Sequence, residues 1–437
     1  MNTKNPVIMT LLLATFLNFS AYGNSYGKAY IDITSPSLKK TPIAIAEFRD
    51  LFPSNSNSLS DLSDSLRSIL VNDLEFSGLF DILDKESYWD DLKKTGIQET
   101  EIDFNRWEVQ GGTFLITGGY RESPTGKECR EEKEFVVELR LFDVIKEKRI
   151  LGKMYCSNKR ELRMAMHRFS NEILKALTGE SGIYESRLAF VSTFTGNKEI
   201  YISDYDGHNI QAITKNGSIN ISPQWSPDGR WLLYTSFKKG QPKLYIKNPF
   251  TGKEVKISDY PGMNIGARWS PSRTEIAFTL SIHGNPEIYT MDLKTNKLTR
   301  LTNSWGIDVS PTWSPDGKRI AFISDRGGNP HIYLMDVYDK TVKRLTYEES
   351  YNVSPAWSPK GDKIAFSRLN NGHFDIWIMD LDSGYQTQLT HNVGNNEDPS
   401  WSPDERHIVF KSDRDGYSSI YIMRTDGTDQ RQIARGS

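Results

Sequence analysis

Residues 308–336 read DVSPTWSPDGKRIAFISDRGGNPHIYLMD, and copies of this stretch recur along the second half of the chain. Trp-Ser-Pro begins at Trp225, Trp269, Trp313, Trp357 and Trp401, each 44 residues after the last. Two further positions keep the same step: Ile200, Leu244, Ile288, Ile332, Ile376 and Ile420, then Ile213, Ile257, Leu301, Leu345, Leu389 and Ile433. Six units therefore fit, of which five carry the tryptophan. A period of about 40–45 residues built from short strands is that of a β-propeller blade. A helical array is excluded, because residues 319–324, 331–336 and 343–346 are β-rich runs too short for helices and are broken by turn residues. Four strands per unit are expected: one ending at the Trp, one at Ile-Ala-Phe, one at Ile-Tyr-x-Met-Asp and one at Arg-Leu-Thr.

Each recurring residue has a physical task. The Trp offers about 150–250 Å² for burial between blades. Ser-Pro-Asp-Gly is a turn in which Pro sets φ, Asp bonds its own backbone and Gly accepts a positive φ. The third unit has Pro271-Ser272-Arg273 and the sixth Pro403-Asp404-Glu405, so the turn survives loss of Gly. Five residues before each Trp stand Asn220, Asn264, Asp308, Asn352 and Asn396, where the outer strand of one blade crosses to the inner strand of the next. Asn and Asp suit such a crossing because they tie down backbone. The same ring near the channel mouth is also a candidate polar collar for a partner or an ion.

Six periods occupy residues 181–437 of a 437-residue chain, so a second domain precedes them. Residues 1–23 carry one Lys, an apolar run from Val7 to Phe19 and small residues at Ala21 and Gly23, the pattern of a secretory signal cleaved after Gly23. The run is short for a membrane span. Residues 24–42 contain Pro36 and Pro42 and read as an extended opening segment.

Over residues 43–180 the pattern predicts a small α/β domain. Strands are expected at 43–48, 79–83, 113–120, 134–144 and 149–156, the last two joined across residues 145–148. One helix opens at Ser58 or Ser60 and ends at Gly78; another is capped by Asn158 with Glu161 and ends at Gly179. His167 on this second helix has no companion ligand and reads as a surface residue. Cys129 and Cys156 can pair in an oxidising compartment, and their spacing leaves the question open.

The formal charge of −2 excludes the basic surface that nucleic-acid binding requires. Nucleophile elbows, zinc-protease motifs and phosphate-cradling loops are missing from the sequence, and the seven His are scattered without ligand spacing. Neither a metal nor a cofactor is expected. An interaction scaffold is the leading function class. The alternative is a secreted propeller enzyme, lyase- or peptidase-associated, acting at the channel mouth.

The export signal, the α/β domain ending in Leu177-Thr178-Gly179-Glu180, Ile202-Ser203-Asp204-Tyr205-Asp206-Gly207 and the Trp-Ser-Pro-Asp-Gly blades together resemble the TolB family of the Tol–Pal system. The resemblance implies a periplasmic, non-enzymatic adaptor that maintains the outer membrane and its constriction at cell division. It implies as partners the lipoprotein Pal, the inner-membrane protein TolA and further outer-membrane proteins. Carried over by position, the Pal-facing loops hold Asn220, Asn264, Ile265, Gly266, Asp308, Asn352 and Asn396. The TolA-facing segment holds Asn24, Tyr30, Ile31 and Asp32. Many family members end in a further Trp-Ser-Pro segment that completes the first blade, whereas this sequence stops soon after Ile433. The inner strand of that blade is then expected from residues near 180–184, or the blade has three strands.

Overall fold

In a computed structural model, the structure describes residues 31, 39–51, 60–89, 95–122, 129, 134–348, 351–391 and 393–435. The expected signal at 1–23, and Asn24, Tyr30 and Asp32, lie outside them. The first part is a mixed sheet in the order β3 (Phe80–Ile82), β1 (Thr41–Ile45), β4 (Phe114–Glu122), β5 (Phe135–Asp143), β6 (Lys148–Ser157), with β2 (Arg49–Asp50) beside β4. β1 is parallel to β3 and β4, while β4, β5 and β6 are antiparallel.

Side chains alternate across this sheet as the pleat requires. Ile43 and Ile45 face the helices α1 (Ser60–Ser77) and α3 (Leu162–Thr178). Ala44 and Ala46 face Trp107 on the short helix α2 (Phe104–Val109). Helix α3 starts three residues later than its cap pattern suggests. Asn158 Oδ1 accepts from the backbone N–H of Arg160 and Glu161 at 3.1 and 3.0 Å, capping a turn that leads into the helix. Cys129 and Cys156 are disulfide-bonded, with Cα atoms 5.7 Å apart.

The second part is a six-bladed propeller. Five blades have four antiparallel strands, with inner strands Asn220–Trp225, Asn264–Trp269, Asp308–Trp313, Asn352–Trp357 and Asn396–Trp401. Among the described residues the first blade has three: β7 (Arg187–Ser192), β8 (Glu199–Asp204) and β9 (Gln211–Ala212). Residues 180–184 do not supply the fourth. Tyr184 is instead buried beside Tyr205, ring centroids 5.3 Å apart. Leu188, Ala189 and Val191 of β7 are left half-buried, whereas their equivalents Ile320, Ala321 and Ile323 are buried.

The ring closes by apolar contact of Phe190 and Tyr201 with Ala434 on the outer strand of the sixth blade. Gly207 is required at this seam, because a Cβ there would stand 2.1 Å from the Ile433 carbonyl oxygen.

The two parts meet at the end of the propeller that carries the Ser-Pro-Asp-Gly turns. His407 stacks on Phe76 at 4.2 Å, and Arg424 donates to the Glu75 carbonyl at the C-terminus of α1 at 3.2 Å, where a cation suits the helix dipole. The expectation for His167 is corrected here. It is wholly buried and donates through Nδ1 to Asp73, which also accepts from Ser170 Oγ at 2.6 Å and from Tyr205 of the first blade at 2.5 Å. A helix position facing an interface between domains looks like a surface position in a helical pattern.

Candidate functional site

At the opposite end of the propeller, each outer strand crosses to the next inner strand around the mouth of the channel. Each inner strand carries a bulge at its third residue, with Ser222, Gly266, Ser310, Ser354 and Asp398 in the left-handed region at φ 51–63°. The bulge increases the local twist and brings the five strands together around the axis.

The five collar residues stand just before these bulges, and all five side chains are 0 % exposed. Their side chains therefore hold the crossing loops from beneath. Asn264 Nδ2 donates to the carbonyls of Tyr260 and Gly262 at 2.8 and 2.9 Å. Asn220 Nδ2 donates to Glu199 on β8 of the first blade at 2.8 Å, and Asn396 Nδ2 to Asp375 on the third strand of the fifth blade at 3.2 Å. Asn352 accepts from Arg368 Nε at 2.8 Å and Asn396 from Arg414 Nη2 at 2.9 Å. An amide supplies donor and acceptor at once, which explains Asn at four of the five positions.

Asp308 cannot donate, and Asn285 takes over part of the task by donating to Ser304 O and Gly306 O at 3.0 and 2.6 Å. Asp308 Oδ2 accepts from Arg326 at 2.7 Å, while Oδ1 is buried without a partner. Burial pushes the Asp308 carboxyl above its ordinary range, and the ion pair with Arg326, with the nearby Ser324 and Thr302 hydroxyls, offsets only part of that rise.

The exposed residues lie one step earlier. Ile219, Met263, Ile307 and Tyr351, which immediately precede four of the collar residues, all present apolar surface to solvent. Trp305, 79 % exposed, and Val393 extend the same rim. Ile265 and Gly266 are half-buried just inside it. The sequence reading missed this ring, although it follows the same 44-residue step; an aliphatic or aromatic residue repeated before a buried turn Asn was the available signal. Exposed apolar residues repeated from blade to blade around a pore mark a candidate interaction site.

Among the described residues, no group of three or more His, Cys, Asp or Glu is placed to hold a metal ion. No described helix is long and apolar enough to cross a membrane. At the end of α3, Ile31 donates its backbone N–H to Leu177 O at 3.0 Å and packs against the helical core.

Comparison with known proteins gives two family matches: the TolB beta propeller domain over residues 174–376 and 351–437, and the TolB amino-terminal domain over residues 29–150. The Tol-Pal system protein TolB of Desulfosudis oleivorans is 42% identical over 217 residues, 50% of this chain and 47% of that protein. The protein of the same name from Syntrophotalea carbinolica is 41% identical over 206 residues, 47% of this chain and 45% of its own length. The chain spans about half the length of the curated relatives it matches. The crystal structure of TolB from Acinetobacter baumannii superposes with a TM-score of 0.77 at 29% identity, covering 94% of this chain and 96% of that one.

Proposed function

The chain belongs to the TolB family, and from that premise we propose that it is a non-enzymatic adaptor of the Tol–Pal system, acting in the periplasm after export. It docks the lipoprotein Pal on the rim of the propeller channel and offers residues 24–34 to TolA, and by joining them it supports outer-membrane integrity and constriction at division. The observation that carries this reading is the exposed ring of Ile219, Met263, Ile307, Tyr351 and Trp305, set beside crossing loops to which the buried collar is hydrogen-bonded. Rigid loops bearing an exposed aromatic and aliphatic surface bind without a large ordering cost, and aromatic residues are enriched among the residues that dominate interface energy.

Calorimetric titration of the mature chain with the soluble part of Pal tests it. Trp305→Ala combined with Ile307→Ser lowers affinity at least tenfold while the circular dichroism is unchanged. Undiminished affinity in that double variant refutes docking at the rim. Deletion of residues 24–34 abolishes capture of TolA and leaves Pal binding intact.

A further inference from the structure

A cleft of about 630 Å³ lies between the first part of the chain and the first two blades, within the size range of pockets that hold small ligands. Its walls come from three stretches: the end of β6 with the start of α3, the strands of the first blade, and Phe250 on the turn after the third strand of the second blade. It lies at the end of the propeller opposite the channel rim.

Three arginines line the cleft against two acids, Glu161 and Asp204. Arg168 is taken up by Glu185 at 2.8 Å, and the buried Asp204 accepts from Asn209 Nδ2 at 2.5 Å. Arg160 and Arg187 have no carboxylate within ion-pair distance among the described residues. Arg187 is held in place all the same, because its guanidinium lies 4.8 Å over the Phe250 ring, which itself stacks on Trp225.

The lining also contains a polar group that the protein leaves unpaired. Ser203 is 1 % exposed, and its Oγ has no hydrogen-bond partner. A buried hydroxyl in that state costs stability, which an acceptor placed in the cleft would recover. Gln211, on the last strand of the first blade, makes no side-chain hydrogen bond among the described residues and offers both a donor and an acceptor.

We infer that the cleft binds a short acidic peptide, with carboxylates on Arg160 and Arg187 and main-chain amide groups on Ser203 and Gln211. Planar guanidinium groups suit carboxylates through two parallel N–H donors. An inorganic anion would use the charges and leave the Gln211 carbonyl unanswered.

The test is calorimetric titration of the mature full chain with triglutamate, with trialanine and inorganic phosphate as controls. Triglutamate binds saturably and at least tenfold more tightly than either. Arg160→Gln and Arg187→Gln together weaken it at least tenfold, and Ser203→Ala at least threefold, with unchanged melting profiles. Arg230→Gln, which removes an exposed cation outside the cleft, binds as wild type does. Absence of saturable triglutamate binding, phosphate binding as tight as triglutamate, undiminished binding in the double arginine variant, or an equal loss in Arg230→Gln overturns the assignment. Docking at the rim is read separately, since none of these residues lies there.

Discussion

Replacing Asp308 by Asn stabilises the propeller at neutral pH, even though it removes a buried ion pair. The argument rests on the other blades. Arg414, two repeats beyond Arg326, donates to the amide oxygen of Asn396 at 2.9 Å, so an asparagine at 308 keeps an acceptor for Arg326. Glu287 holds the position of Glu199 and Asp375, both of which accept from a collar Asn, so the new Nδ2 has a partner as well.

Against this, exchanging a charged acceptor for a neutral one weakens the Arg326 bond by about 1 kcal/mol. In favour, the partnerless buried Oδ1 is relieved, a group that costs about 1–3 kcal/mol when left unsatisfied. The net expectation is about 1 kcal/mol of added stability, or roughly 2–4 °C in the melting temperature of a unit this large.

The pH dependence has a definite sign. A carboxyl whose pKa is raised by burial in the folded state costs stability when ionised. The deficit of the wild type therefore opens as pH rises from the ordinary carboxylate value to the raised one, stays constant above it, and vanishes in acid. Guanidinium unfolding of both proteins at neutral and acidic pH measures this. An Asp308→Asn protein less stable than wild type at neutral pH, or a difference that does not shrink in acid, refutes the reasoning.

Hydrogen exchange reads out the first blade, where no inner strand pairs with β7 among the described residues: the amides of β7 exchange at least tenfold faster than those of its equivalent Arg319–Ser324, which is covered by an inner strand. Tyr205→Phe removes one of the hydrogen bonds to the buried Asp73 carboxylate and costs about 1.5–3 kcal/mol in denaturant unfolding. If Tyr205→Phe matches wild type, the network does not hold the two parts together. Reducing the Cys129–Cys156 bridge opens a loop of sequence separation 27 and lowers stability by about 3.5 kcal/mol, as Cys129→Ser with Cys156→Ser checks by the same assay.

Much of the fold was legible without coordinates, because strand periodicity and turn chemistry are local. The 44-residue step located six blades, and apolar spacing placed α1 and α3 and the strands of the first sheet. The local physics also persists where the sequence bends it: Arg273 and Glu405, standing where Gly ends the other turns, still adopt φ of 65° and 59°.

What the sequence could not decide was which side of a polar residue faces water. Asn264 and Asp308 carry groups typical of a binding surface, yet neighbouring blades contributed by distant segments bury them, and the solvent-facing role passes to Ile307 and its equivalents. His167 was hidden for the same reason, since Asp73 and Tyr205, 94 and 38 residues away, meet it only after two helices and a blade dock. Repetition in sequence determines the blade; only closure of the ring determines what lies beneath its rim.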